Sequence, residues 1–478
     1  MQKITICLSI LVLAFYGCTK DISDLNVDPK NASTAPSYSL FTNAQRSLSN
    51  TLASSNVNLN IFRLITQQWQ ETQYPEESQY DLATREINDA TWNALYRDVI
   101  RDLREAKALI PTDVITPAGT PDTARSGNQL AITEVMEIYT WYYLVSTYGN
   151  IPYTEALDIN KPFPKYDSAK AIYNDLLDRL DKAIEQINPA GVSFGGADLI
   201  YSGNTESWLK FANSLKLKMG ILIADDDPER AKAAIESAVK GGVFTSNADN
   251  AEIKYLNTPP NTNPIWVDLV QSGRDDFVGA STLIDQLKEL NDPRLDNFFT
   301  PDQSGTDYSG ADPGVQSAFA QYSHVKPTIT SPDFPNLLLD YSEVEFYLAE
   351  AVERSYEVDG TAKEHFENGI RASILYWDGT DAEATSYIST VNYDAANWKQ
   401  SIGIQQWISF YNRGWDAWIS WRRLDYPQLE EAHDALSAIP LRYPYPVNEQ
   451  NVNRANYEAA AAAIGGDEVT TKLWWDKF

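Results

Sequence analysis

Apolar positions recur every three or four residues along most of this chain. In TESWLKFANSLKLKMGIL (205–222), Trp208, Phe211, Ala212, Leu215, Met219 and Leu222 fall at i, i+3, i+4, i+7, i+11 and i+14, with Lys210, Lys216 and Lys218 elsewhere around the cylinder. That spacing predicts an amphipathic helix packed on a core. The next helix is expected to begin at Asp227-Pro228-Glu229, where an N-cap side chain, a proline suited to the first turn and an acid at the positive end of the dipole follow one another, and to stop at Gly241-Gly242. Similar stripes run through 83–110 (Trp92, Tyr96, Ile100, Leu103), 127–148, 167–187, 341–356 (Val344, Tyr347, Leu348, Ala351, Val352) and 361–377. Strand-like alternation of comparable length is missing, so the fold class is mainly α.

Short turns join several of these stripes into pairs. YLVSTYGNIPYTEAL (143–157) places Gly149, Tyr153 and Ala156 where two helices of a tetratricopeptide-like hairpin approach closely, and YNDLLDRLDKAIEQINP (173–189) reads as the second helix of such a unit with a closing proline. A strict 34-residue period is absent, which favours irregular hairpins over a regular solenoid. In WISFYNRGWDAWISWRRLDYP (407–427), Trp407, Phe410, Tyr411, Trp415, Trp418 and Trp421 lie at offsets 0, 3, 4, 8, 11 and 14. These offsets confine them to an arc of roughly 140° on one helix. A stripe this wide reads as core packing rather than a ligand surface, with Arg422 and Arg423 near the helix C-terminus and a possible kink at Gly414.

The N-terminus breaks the pattern. Lys3 precedes the mostly apolar run Ile4–Phe15, which is the length of a signal-peptide core and too short for a permanent span. Gly17-Cys18 follows and resembles a lipobox, with Phe15 and Tyr16 in place of the usual small residues. Cleavage there discards Cys7 and leaves Cys18 as the lipidated first residue, with no cysteine downstream and so no disulfide. The domain expectation is therefore a signal peptide over 1–17, a lipidated tether over 18–35 and a single body over 36–478. Within the body, helical hairpins occupy about 36–245, a loop-rich insertion about 250–340, and C-terminal helices and loops 341–478.

Charge narrows the partners. Sixty-six acidic residues against 38 Lys and Arg give a formal net charge of −28 across 478 residues, which opposes nucleic acid and anionic lipid surfaces and favours neutral or cationic ligands. Catalytic signatures are missing: no G-x-S-x-G, no phosphate-binding glycine loop and no H-E-x-x-H occurs. His324, His365 and His433 lack companions at metal spacing. PDQSGTDYSGAD (301–312) fails as a calcium loop, because position six from Asp302 is Asp307 and position twelve is Pro313. Asp225-Asp226-Asp227 reads as a solvated helix start. No catalytic residue, metal or cofactor is expected.

A saccharide binder needs aromatic rings on loops, off the helical stripe, with polar groups beside them. QQWQETQYPEESQYD (67–81) offers Trp69, Tyr74 and Tyr80 at spacings no single helical face accommodates, with Pro75 between them and Asp81 among the polar partners. NTNPIWVDLVQSGRDDF (261–277) offers Asn263, Trp266, Arg274 and Asp275. The irregular stretch 301–334 contains Tyr308 and Tyr322. These ten residues are the candidate ligand-binding set, against the alternative that each packs on the body.

The Cys18 segment, NVDPKNAS (26–33), the 208–221 and 341–355 helices, the 407–427 stretch, IPLRYPYPVNEQNVNRANYEAA (439–460) and the closing TTKLWWD (470–476) together resemble SusD/RagB-type outer-membrane lipoproteins of Bacteroidetes. The resemblance runs in order over essentially the whole mature chain. It implies a tetratricopeptide-based helical scaffold, lipid-anchored in the outer membrane at Cys18 and exposed at the cell surface. Its partner would be a SusC-like TonB-dependent transporter, to which it would deliver an oligosaccharide or other large nutrient; Lys20-Asp21 is similar to a surface-export signal. Two other functions compete: an anchored helical scaffold with no small ligand, and an envelope glycoside hydrolase.

Overall fold

The computed structural model describes residues 35–478. The expected signal peptide, Cys18 and residues 18–34 of the tether lie outside the described residues.

The body is mainly α, as the periodicity predicts. Its first helix, α1 (Ser37–Ala53), is followed by the short α2 (Phe62–Ile65). The 83–110 stripe forms α3 (Ile87–Asn93), a π-helical stretch (Ala94–Ile100) and α4 (Arg101–Asp113). Helix α5 (Thr123–Tyr148) is the longest and is buried on every side from Ala131 onward save Glu134. It packs on α6 (Ala169–Gln186), and α7 (Thr205–Leu222) packs on α8 (Pro228–Gly241). Asp227 caps α8 by accepting from the Arg230 N–H at 3.2 Å, as its sequence position predicts. Within the loop-rich region lie α9 (Pro264–Trp266), α10 (Ser281–Leu290) and α11 (Arg294–Phe298), and beyond it come α12 (Tyr341–Glu353) and α13 (Ala362–Tyr376). They are followed by α14 (Asp381–Ile388), α15 (Trp398–Ser409), α16 (Gly414–Leu424), α17 (Val447–Val452) and α18 (Arg454–Ala463). Thr361 and Thr380 begin α13 and α14 with reciprocal capping boxes to Glu364 and Glu383.

Among the described residues, strands are two to four residues long and form three antiparallel pairs. β1 (Trp69–Glu71) pairs with β5 (Phe277–Gly279), β2 (Ile151–Pro152) with β3 (Tyr166–Asp167), and β4 (Ala251–Ile253) with β6 (Asn336–Leu339). The main core runs from Phe41 to Trp475, and a smaller second cluster gathers Phe346, Phe366, Ile370, Ile374, Tyr387 and Ile402 among α12–α15.

Four local expectations need correction. The 407–421 stripe is two helices, not one. Phe410–Arg413 turns between α15 and α16, with Asn412 at φ 67°, and a Cβ on Gly414 would stand 2.4 Å from the Arg63 amide nitrogen. The rings still face inward, with Trp407, Phe410, Tyr411, Trp415 and Trp418 buried and Trp421 half-buried. Gly149 does not seat a neighbouring helix. It ends α5 at φ 84° and lies against Leu473 of the C-terminal segment. Lys218 is not on a solvent face: its ammonium is sealed between Glu343 and Asp416, at 2.6 Å from each. Finally, the three aspartates ahead of α8 are not simply solvated. Asp225 pairs with Arg354 at 2.7 Å, and Asp226 with Lys477 at 2.7 Å and Lys170 at 2.9 Å.

Candidate functional site

Two chain segments far apart in sequence meet at the β1–β5 ribbon. Trp69 lies opposite Gly279, Gln70 opposite Val278 and Glu71 opposite Phe277. The pairing continues where the Thr72 N–H donates to the Asp276 carbonyl at 2.8 Å. A third segment attaches through Gln70, whose side-chain oxygen accepts from the Gly314 N–H at 3.0 Å, and through the Ser317 N–H, which donates to the Thr72 carbonyl at 2.9 Å. The Gln79 amide donates to the Gly314 carbonyl at 2.8 Å. The stretches 67–81, 261–277 and 301–334 are thereby stitched into one framework, whose backbone hydrogen bonds hold the loops rigid.

The ten candidate residues divide on this framework. Tyr74 is 60% exposed, at a left-handed φ of 56° beyond the end of β1. Arg274 and Asp275 are exposed on the facing turn, and Arg274 pairs with Asp276. The Thr72 hydroxyl donates to the Asp275 carbonyl at 2.7 Å, which sets the Tyr74 loop next to the Arg274–Asp275 turn. Trp266, Tyr308 and Tyr322 are half-buried, and the Tyr308 hydroxyl is held by Asp296. Asp81 caps the following turn: burial pushes its carboxyl up, and the hydroxyl and N–H of Thr84 with the N–H of Ala83 more than reverse that, holding it below the usual range.

Three candidates are framework, not surface. Trp69 is 1% exposed; its indole N–H donates to the Tyr411 hydroxyl at 3.1 Å and the Arg63 guanidinium lies 5.0 Å from its ring centre. All three residues of β1 are buried, and Tyr411 and Arg63 hold this ring inside the body, so no sugar can stack on it. Tyr80 is buried, and its hydroxyl accepts from the Ala432 N–H at 3.2 Å. Asn263 is buried as the N-cap of α9: it accepts from the Ile265 N–H at 2.8 Å and donates to the Phe334 carbonyl at 2.7 Å.

The sequence reading missed two features here. Beneath Tyr74, Glu71 and Glu77 are both buried. Glu71 accepts from the N–H and hydroxyl of Ser78 at 3.0 and 3.1 Å, and Glu77 is paired with Arg85. Burial, then the charge of Glu77, pushes the Glu71 carboxyl up to about 9; burial also raises Glu77, opposed by Arg85. A neutral Glu71 closes the 71–78 loop at neutral pH. The second is the stacked pair Phe319 and His324, half-buried with ring centres 3.8 Å apart. The 261–277 segment also borders a cavity of about 460 Å³, lined by Asn50, Thr51, Asn56, Thr262, Val267 and Asp268. The acids in QETQYPEE carry a weak signal for the Glu pair; the stacked pair has none in local sequence.

Among the described residues no group of three or more His, Cys, Asp or Glu side chains is placed to hold a metal ion, and no helix is long and apolar enough to cross a membrane.

Residues 29–446 match the family model SusD-like_2, described as "Starch-binding associating with outer membrane". Among solved structures, a chitin-binding protein is 26% identical, with 92% of this chain and 100% of that one covered at a TM-score of 0.81. A SusD homolog from Bacteroides uniformis is 25% identical, with coverage of 92% and 100% and a TM-score of 0.78. A chitin-binding SusD homolog from Flavobacterium johnsoniae, 22% identical over 92% and 98% of the two chains with a TM-score of 0.78, shares the fold. No curated protein matches. The order of the motifs, the helical architecture and the family match over most of its length agree: this chain belongs to the SusD-like family.

Proposed function

We propose that this protein captures a neutral oligosaccharide at the cell surface and passes it to a SusC-like TonB-dependent transporter, held to the outer membrane by a lipid on Cys18. The observation that carries the reading is the exposed Tyr74 ring on a loop that the Thr72 bond to the Asp275 carbonyl joins to the turn bearing exposed Arg274 and Asp275, both loops pinned by the β1–β5 ribbon. A phenol ring offers an apolar face for sugar C–H groups, while the guanidinium and carboxylate offer a donor and an acceptor for hydroxyls. Rigid loops lower the ordering cost of binding. Half-buried Trp266, Tyr308 and Tyr322 belong to the same three segments and extend the proposed surface. The net charge of −28 disfavours polyanionic glycans. The family description as starch-binding, and the chitin-binding labels of two similar structures, support a glycan as ligand. Such a role is one of binding and delivery, with no bond broken.

Affinity electrophoresis and calorimetry with malto- and chito-oligosaccharides test the reading. Saturable binding that Tyr74→Ala and Trp266→Ala weaken supports it. A folded protein that binds neither glycan series, or binds one with both substitutions silent, overturns it. Cys18→Ala is expected to release the protein from the membrane fraction, and detergent co-purification checks the transporter partnership.

A further inference from the structure

On the C-terminal half of the body, away from the loop face, α10, α13, α15 and the turn after α14 enclose a cavity of about 640 Å³. None of its lining residues belongs to the segments 67–81, 261–277 or 301–334. Its volume lies in the range of small-molecule sites, and eight of its twelve lining residues are polar or charged, gathered around a small apolar floor. Leu290, Phe366 and Ile404 form the floor, and Phe366 is buried.

The rim is rich in amides. Gln405 is buried and fixed: its amide donates to the Tyr387 hydroxyl at 2.9 Å and its oxygen accepts from Arg294 at 2.8 Å. By contrast, Asn291, Asn392 and Gln400 are exposed, and their side-chain amides face water without a protein partner among the described residues, leaving donors and acceptors available at the mouth.

Charge selects the class of ligand. No lysine or arginine lines the cavity, so phosphate, sulfate and uronate ligands lack a counter-ion. The nearby Lys288 is turned away to Asp307 at 2.9 Å. Of the two lining acids, Glu289 is exposed at the rim. Asp394 is already engaged, accepting from the Ala396 N–H at 3.0 Å and the Asn397 amide at 2.7 Å, so it does not call for a cationic ligand. Unpaired amides over an apolar floor, with no counter-charge to satisfy, suit a neutral polyhydroxylated ring. We infer that this cavity is a second saccharide site, taking one or two neutral sugar units independently of the loop face.

Hydrogen-exchange mass spectrometry on the full folded chain tests this, with maltose and N,N′-diacetylchitobiose at millimolar concentration and glucuronate as the anionic control. Either neutral disaccharide is expected to protect the segment 389–405. That protection should survive Tyr74→Ala and vanish in Asn392→Trp, which fills the cavity from an exposed position. Asn392→Ala should weaken the protection isotherm about three- to ten-fold, the value of one hydrogen bond. Protection by neither disaccharide overturns the assignment, as do equal protection by glucuronate and retention in Asn392→Trp. Because Tyr74→Ala removes only the loop face, failure of one site is read separately from failure of the other.

Discussion

The six aromatic rings between Trp407 and Trp421 and the three between Trp69 and Tyr80 have similar chemistry and different supports. The first set sits on and between two helices, and five of its six rings are buried. The second set sits on an irregular segment, yet two of its three rings are buried as well, and only Tyr74 reaches solvent. Irregular backbone therefore does not expose a side chain. The deciding feature is whether the residue itself is tied into the core: Trp69 is in a ladder with Gly279 and the Tyr80 hydroxyl accepts from the Ala432 N–H, whereas the Tyr74 ring has neither tie.

Substitutions can break that contrast. The largest loss is expected from Lys218→Ala, which leaves Glu343 and Asp416 buried with only Arg413 to balance them. Breaking such a pair costs about 3–5 kcal/mol, read as a lowered denaturant midpoint. Trp69→Ala should behave like a core substitution despite its loop setting, losing about 3–5 kcal/mol in the same assay. If Trp69→Ala is neutral, the two regions differ as the sequence reading expected, and the burial argument fails.

A pH titration sharpens the comparison beneath Tyr74. The native Glu71 carboxyl is raised from 4.5 to about 9, so across that window the folded state keeps a proton that the unfolded chain releases. The stabilisation is whole below about pH 4.5 and is lost as pH rises toward 9, with a slope of up to about 1.4 kcal/mol per pH unit. Melting temperatures of Glu71→Gln should fall less steeply than those of the native protein from neutral to alkaline pH. An identical slope would show that the pair does not hold the proton. Tyr74→Ala should change stability by less than about 0.5 kcal/mol. In calorimetry its glycan affinity should drop about ten-fold, or 1.4 kcal/mol. A loss smaller than those of Lys218→Ala and Trp69→Ala is expected at the scaffold surface, where Asp227→Ala removes the α8 cap at a cost of about 1 kcal/mol in thermal melts.

The helical frame was legible because its signals are local. Helix α7 occupies the 205–222 stripe to the residue, and Asp227-Pro228 starts the next helix where it should. The period misled at 407–421 because a four-residue turn keeps the rings in phase across a break in the helix. It misled at Lys218 because the charges that justify its burial lie 125 and 198 residues away. The binding face was legible as three irregular segments but not residue by residue. The partner of β1 begins some two hundred positions downstream, and no local pattern announces which of Trp69 and Tyr74 the ribbon turns inward. The cavity beside Gln405 left no trace in the sequence reading, since its lining is gathered from four separate stretches.

Arg422 illustrates a further property of this architecture. Its guanidinium lies 3.4 Å from the Trp418 ring centre and 4.7 Å from that of Trp475, and donates to the carbonyls of Leu441 and Ser146 at 2.7 and 2.8 Å. A ribosome that has delivered Ser146 and even Arg422 has not yet supplied the second indole. The two-sided stacking of this guanidinium therefore closes only once residue 475 has been made, so a buried charge deep in the body reaches its full set of contacts late in synthesis.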